Sequence, residues 1–320
     1  MNNKITKKRL GQLLSYDFWA IIALIVAGVV VWSLLFTMFG DSLSEGQKMN
    51  VYAYNVNINE NEVYDLLKTY DENPYFSYEI RESSFYNFGG YSSSNTIVSQ
   101  QFTAWSSVGQ LDLLFISSDK TIKSGTDAFG EVVYESLASR FAYSFYDLDA
   151  MITDALDYCK TYGGYSDDGT VTSWAAESFF RERKKHDNFY RHGLIKPEQE
   201  VDRFRLIWKT AKKMQALRQN EEIDIWYVEE VAEPQDTNGE YSFTTKTYGI
   251  DLGKLGALGG NTETGKKPFE LCTVGKTDAN GNSVADGAVL AAFNNRKYQP
   301  DLVYESLAFI LEVIETYSDL

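Results

Sequence analysis

A chain of 320 residues that is 44% apolar, 15% aromatic and 23% charged is too long and too hydrophobic for a disulfide scaffold or a disordered tail. Its net charge of −15, with only two histidines and two cysteines, argues against nucleic acid as a partner and leaves no zinc-type ligand spacing. These totals imply a folded protein of one large or two modest domains.

Residues 18–40 (FWAIIALIVAGVVVWSLLFTMFG) carry no charge and are bracketed by Asp17 and Asp41. As a helix they rise about 34 Å, enough to cross a hydrocarbon layer of about 30 Å, so the pattern predicts an N-terminal transmembrane helix. Lys4, Lys7, Lys8 and Arg9 precede the segment and only Lys48 follows closely. The positive-inside bias then sets residues 1–17 in the cytoplasm, 18–40 as an uncleaved signal anchor in the cell membrane, 41–48 as a stalk and 49–320 as an extracytoplasmic domain. Residues 41–320 together have a net charge of −18.

In the outer part, residues 49–56 alternate as a strand should. Val63, Leu66, Leu67 and Tyr70 fall on one helix face. A second strand is expected at 76–81, a loop at 83–95, a helix at 96–105 and a buried strand at 111–116, an order that implies the parallel sheet of an α/β fold. Helices are expected at about 127–143 and 147–160, then a flexible stretch at 163–173 and a mostly helical region at about 174–220. Residues 223–231 and 241–250 read as paired strands, 253–267 as loop, 268–274 as a short strand and 301–316 as a closing amphipathic helix. Cys159 continues the apolar stripe Leu148, Met151, Ile152, Ala155 and Leu156. A bridge to Cys272 and two unpaired buried thiols are both open.

Several motifs are incomplete. Residues 260–267 (GNTETGKK) end in Lys267 where a phosphate loop needs Ser or Thr, and residues 278–289 lack the glycine and closing glutamate of a calcium loop; an Asn-Gly hairpin explains the latter better. His186 and His192 lie in a polar basic run without an orienting carboxylate pair. No catalytic residue, metal or cofactor is assigned, and the chain is expected not to be an enzyme.

The segments MNVYAYN, NEVYDLLKTYDENPYFSYEIRE and VGQLDLLFISSDK together resemble the opening of type 2 extracellular solute-binding proteins, the sugar receptors of ABC importers. YGIDLGKLGAL and ADGAVLAAFNN…YESLAFILEVI are similar to that family's late helical segments. The resemblance implies a solute-binding-like domain with a helical insertion and a reduced second lobe, serving carbohydrate uptake beside ABC permease subunits. Carried over to this chain, it implies ligand-binding residues at the strand exits, Tyr54, Asn55 and Asn57, then Ser117, Ser118, Asp119 and Lys120, with Trp105 stacking on a carbohydrate ligand.

The second functional expectation is an accessory interaction protein. Residues 181–218 hold twelve basic and five acidic side chains on an otherwise acidic chain. Arg183, Lys184, Lys185, Lys212 and Lys213 are the residues expected to dock an acidic partner.

Overall fold

The computed structural model describes residues 11, 18–39, 48–68, 82–88, 96–126, 129–186, 196–232, 243–258, 269–273, 276–277, 283–294 and 304–320. They fall into two compact units, Met1–Ser42 and Leu43–Leu320.

In the first unit helix α1 covers Phe18–Phe39. Trp19, Leu24, Ile25, Val29 and Trp32 on it are all exposed. The transmembrane expectation is corrected: among the described residues, no helix is long and apolar enough to cross a membrane. The single-pass topology, the signal anchor, the cell-membrane localisation and the extracytoplasmic placement of residues 49–320 fall with it.

The second unit is a mixed α/β domain. Strand β1 (Lys48–Tyr54) lies between β3 (Glu82–Asn87) and β4 (Leu113–Ser117), parallel to both. The sheet then continues through β12 (Ala288–Ala292), β8 (Phe243–Asp251) and β7 (Trp226–Ala232), each antiparallel to its neighbour. The expected parallel pairing holds for β1 and β4, β3 takes the other parallel place beside β1, and β7 with β8 forms the pair expected of 223–231 and 241–250. Short β2 (Asn57–Ile58) pairs with β9 (Cys272–Thr273), and β10 (Lys276–Thr277) with β11 (Ser283–Val284), the latter across the expected Asn-Gly hairpin region.

Alternation along β1 divides two cores. Met49, Val51 and Ala53 face one core with helices α2 (Glu60–Lys68), α5 (Leu148–Gly163), α7 (Pro197–Gln219) and α9 (Glu305–Tyr317). Tyr52 and Tyr54 face the other with Phe102 of α3 (Thr96–Val108) and Leu137 of α4 (Leu137–Phe141). The period of two along a pleated strand accounts for the division.

Three expected elements change. The expected strand at 76–81 lies outside the described residues, and β3 forms from ESSFYN, within the stretch read as loop. The expected helix at 127–143 forms only from Leu137 onward, while Val132–Ser136 is strand β6 in a hairpin with β5 (Lys120–Thr126), because Val132, Val133 and Tyr134 favour extended backbone and the first helix cap is Ser136. Residues 288–292, read with the late helical segments, are the fully buried strand β12. A five-residue apolar run carries no helical or strand period of its own.

The helices otherwise sit where expected. Asp147 caps α5 by accepting from the Asp149 amide, and the helix stops at Gly164, whose φ of 73° and whose closeness to the Thr172 carbonyl leave no room for a side chain. Residues 163–173, read as flexible, close a tight turn through the Tyr165–Val171 bridge. Helix α6 (Ser173–His186) and α7 build the helical region, α7 starting at Pro197 with the Gln199 side chain accepting from the Lys196 amide. Helix α8 (Leu252–Ala257) replaces part of the loop expected at 253–267.

Among these helices Arg203 is completely buried. Its Nε lies 3.3 Å from Glu305 of α9, and its Nη1 lies 3.5 Å from Glu200 and donates to the Tyr158 hydroxyl at 3.0 Å. Removing the cation alone leaves two buried carboxylates. Arg203→Met is expected to lower unfolding free energy by about 3–5 kcal/mol, whereas the triple replacement Arg203→Met, Glu200→Leu, Glu305→Leu is expected to recover most of that loss in urea unfolding followed by circular dichroism.

Candidate functional site

Period-two spacing places Lys48, Asn50 and Tyr52 of β1 on one face of the sheet, beside Glu82, Ser84 and Tyr86 of β3. The two rows are in register, Lys48 with Glu82 and Tyr52 with Tyr86. With Trp105 of α3 and Gln110 after it they line a cleft of about 170 Å³.

One end of this cleft is aromatic. The Tyr52 and Tyr86 rings stack at 5.1 Å, and Trp105 lies 5.3 Å from Tyr52 and 6.3 Å from Tyr86. Phe88 and Phe102 close the cluster behind them, 6.0 Å from Tyr52 in each case. Tyr86 stays 43% exposed while Tyr52 is buried. The other end is polar and charged, with Lys48 and Glu82.

The floor is held rigidly. The carbonyl of Gln110 accepts from Asn50 Nδ2 and from the Tyr52 hydroxyl, both at 3.2 Å, and Asp112 Oδ2 accepts from the Asn50 amide at 2.8 Å. These bonds fix the β1 side chains against the segment joining α3 to β4. The arrangement can hold a flat group against aromatic faces and a charged group at the far end.

Of the residues expected to bind ligand, only Trp105 lies in this cleft. Tyr54 is buried and stacks on Phe102 at 5.5 Å. Asn55 turns the chain with a φ of 58°, and Asn57 Nδ2 donates to Thr273 Oγ1 at 3.4 Å. At the exit of β4 the Ser118 amide and hydroxyl both donate to the Gly287 carbonyl, at 2.7 and 3.0 Å, and the Asp119 amide donates to buried Ser117. Asp119 sits over Gly287, where a Cβ would meet its carboxylate at 2.9 Å. Lys120 begins β5. These bonds join the end of β4 to the start of β12.

The cleft itself lies toward the opposite, amino-terminal ends of β1 and β3. The readable signal was the polar alternate positions in KMNVYAY and ESSFYN, set opposite apolar positions that belong to the core.

A second polar cluster joins β7 to the start of α4. Glu229 accepts from Ser139 at 2.6 Å and from the Tyr227 hydroxyl, while Ser136 caps α4 by accepting from the Ser139 amide. Burial, reinforced by the bond to Glu229, pushes the Tyr227 phenol above its ordinary range. Its bonds are those of a helix cap.

The expected docking residues have contacts of their own. Lys185 pairs with Glu182 at 2.5 Å and Lys213 with Glu315. Lys212 sits over the Trp208 ring at 5.1 Å, and Arg183 over Phe179 at 5.5 Å. Lys184 is exposed. Arg218, at the end of the same basic stretch, makes a two-pronged bond to Asp149 at 2.7 and 2.8 Å. Much of the basic stretch is thus neutralised by the domain's own carboxylates. His186 ends α6 beside Glu182, and His192 lies outside the described residues, as does the 260–267 motif. No group of three or more His, Cys, Asp or Glu that could hold a metal ion occurs among the described residues.

No family model matches the chain, and no curated protein or solved structure matches it either. The resemblance to type 2 solute-binding proteins is therefore corrected, and with it the carbohydrate ligand, the ABC permease partners and the uptake role. Its motifs were a succession of elements, and a strand–helix–strand succession arises from chain geometry in many unrelated folds.

Both thiols are free and buried. Burial, partly offset by Arg203 and reinforced by Glu305, pushes the Cys159 thiol up to about 12; burial likewise raises Cys272, with Asp251 adding to it. Neither is expected to react with iodoacetamide at pH 8 in the folded chain, and both are expected to react in denaturant, as read by intact-mass spectrometry.

Proposed function

We propose that the domain of residues 43–320 is a non-enzymatic binding module that holds a small ring-bearing molecule in the cleft between β1 and β3. The observation that carries this reading is the half-exposed Tyr86 ring, stacked on buried Tyr52 and flanked by Trp105, at one end of a polar cleft. Aromatic rings left partly exposed beside fixed polar groups favour a flat ligand by stacking and by removing apolar area from water.

Glu82, Asn50 and Gln110 act as hydrogen-bonding groups that orient the ligand.

Titration of the full chain with indole and with p-cresol, followed by isothermal calorimetry, tests the reading. Saturable binding of at least one probe is expected, weakened about five- to tenfold by Tyr86→Ala, which removes the half-exposed ring stacked on Tyr52. Absence of saturable binding, or binding indifferent to that substitution, overturns it.

A further inference from the structure

The two ends of the cleft differ in chemistry, and that difference selects among ring-bearing molecules. Resting on the binding module proposed above, we infer that the ligand is a ring-bearing ammonium compound, its ring against Tyr86 and Trp105 and its cationic nitrogen at Glu82.

The spacing sets the form of the molecule. Glu82, Ser84 and Tyr86 are successive residues of one strand face, so about 13 Å separates the Cα atoms at the two ends. Both end side chains stand roughly perpendicular to the strand, so ring and nitrogen are held apart along it and the ligand carries a linker between them. The middle of the path runs over Ser84 and Asn50. Asn50 is already committed, through its Nδ2, to the Gln110 carbonyl, which keeps the middle of the cleft narrow and polar.

Charge favours the same assignment. Glu82 is exposed at the rim and makes no ion pair among the described residues, whereas Lys48 across from it has an interaction of its own. A cation arriving at Glu82 therefore gains a charge-assisted hydrogen bond without first breaking an ion pair. The aromatic end adds to this, because the negative faces of Tyr and Trp rings also attract a cation on its way in. The acidic balance of residues 41–320, a net of −18, draws small cations toward the domain and repels anions of the same shape. An arylalkyl carboxylate gains less, since its carboxylate meets Glu82 as well as Lys48.

The test uses three probes of one shape on the full chain at fixed ionic strength: 2-phenylethylamine, neutral 2-phenylethanol and anionic 3-phenylpropionate. Calorimetry is expected to give an order of binding amine, then alcohol, then carboxylate, with the amine favoured over the alcohol by about tenfold. Glu82→Gln, a change at an exposed position, is expected to bring amine and alcohol level. Equal binding of amine and alcohol to the unaltered chain, with both weakened by Tyr86→Ala, overturns the charge assignment and leaves the binding module standing. Preference for the carboxylate overturns it as well. Failure of all three probes to bind overturns both.

Discussion

The fold depends on the two-sidedness of β1. Seven residues alternate so that Met49, Val51 and Ala53 enter the helical core while Tyr52 and Tyr54 enter the aromatic one. A slip of one residue would exchange the two sets and bury Lys48 and Asn50 among α2, α5 and α9. Both parallel neighbours, β3 and β4, take their register from this strand. The cleft is a by-product of that constraint: where the aromatic face runs out toward the start of β1, its alternate positions turn polar, and a groove opens in place of a core.

Much of the domain was legible because its elements carry strong periods. Strand β1, helices α2, α3, α5, α7 and α9 and the β7–β8 pair all follow from apolar spacing, and Cys159 was read correctly as a buried residue on a helix face. The losses have definite physical causes. Ser-rich β3 has few side chains that declare a strand, and its place in the sheet comes from pairing with β1 across a wide separation in sequence. Residues 132–136 fit a helical stripe and a hairpin alike, and the β-branched pair Val132–Val133 decided for the hairpin. Residues 288–292 are small and uniformly apolar, so only their neighbours β4 and β8 make them a strand.

The site was less legible than the fold. Ligands of open parallel sheets sit at the carboxyl ends of the strands, and that rule directed attention to Tyr54, Ser117 and Asp119. Here β12 runs antiparallel between β4 and β8, and its first residues occupy the exit of β4, with Gly287 accepting both bonds from Ser118. Trp105 alone carried over, because its aromatic chemistry suits either end. The basic helices teach a related lesson about charge. A local excess of Lys and Arg in sequence says little about a surface until the carboxylates brought beside it are known, and Asp149, Glu182 and Glu315 come from well outside or from the next helical turn.

The position of β12 has a consequence for biogenesis. The strand that bridges the two halves of the sheet follows β4 by about 170 residues, so β1, β3 and β4 emerge from the ribosome long before their antiparallel neighbour exists. Until it arrives, the outer edge of β4 is an open row of amides and carbonyls flanked by Leu114 and Phe115, a template that invites pairing with a foreign strand. A nascent chain halted before residue 288 thus carries the exposed half of a sheet, and such truncated products are the natural clients of chaperones that mask strand edges.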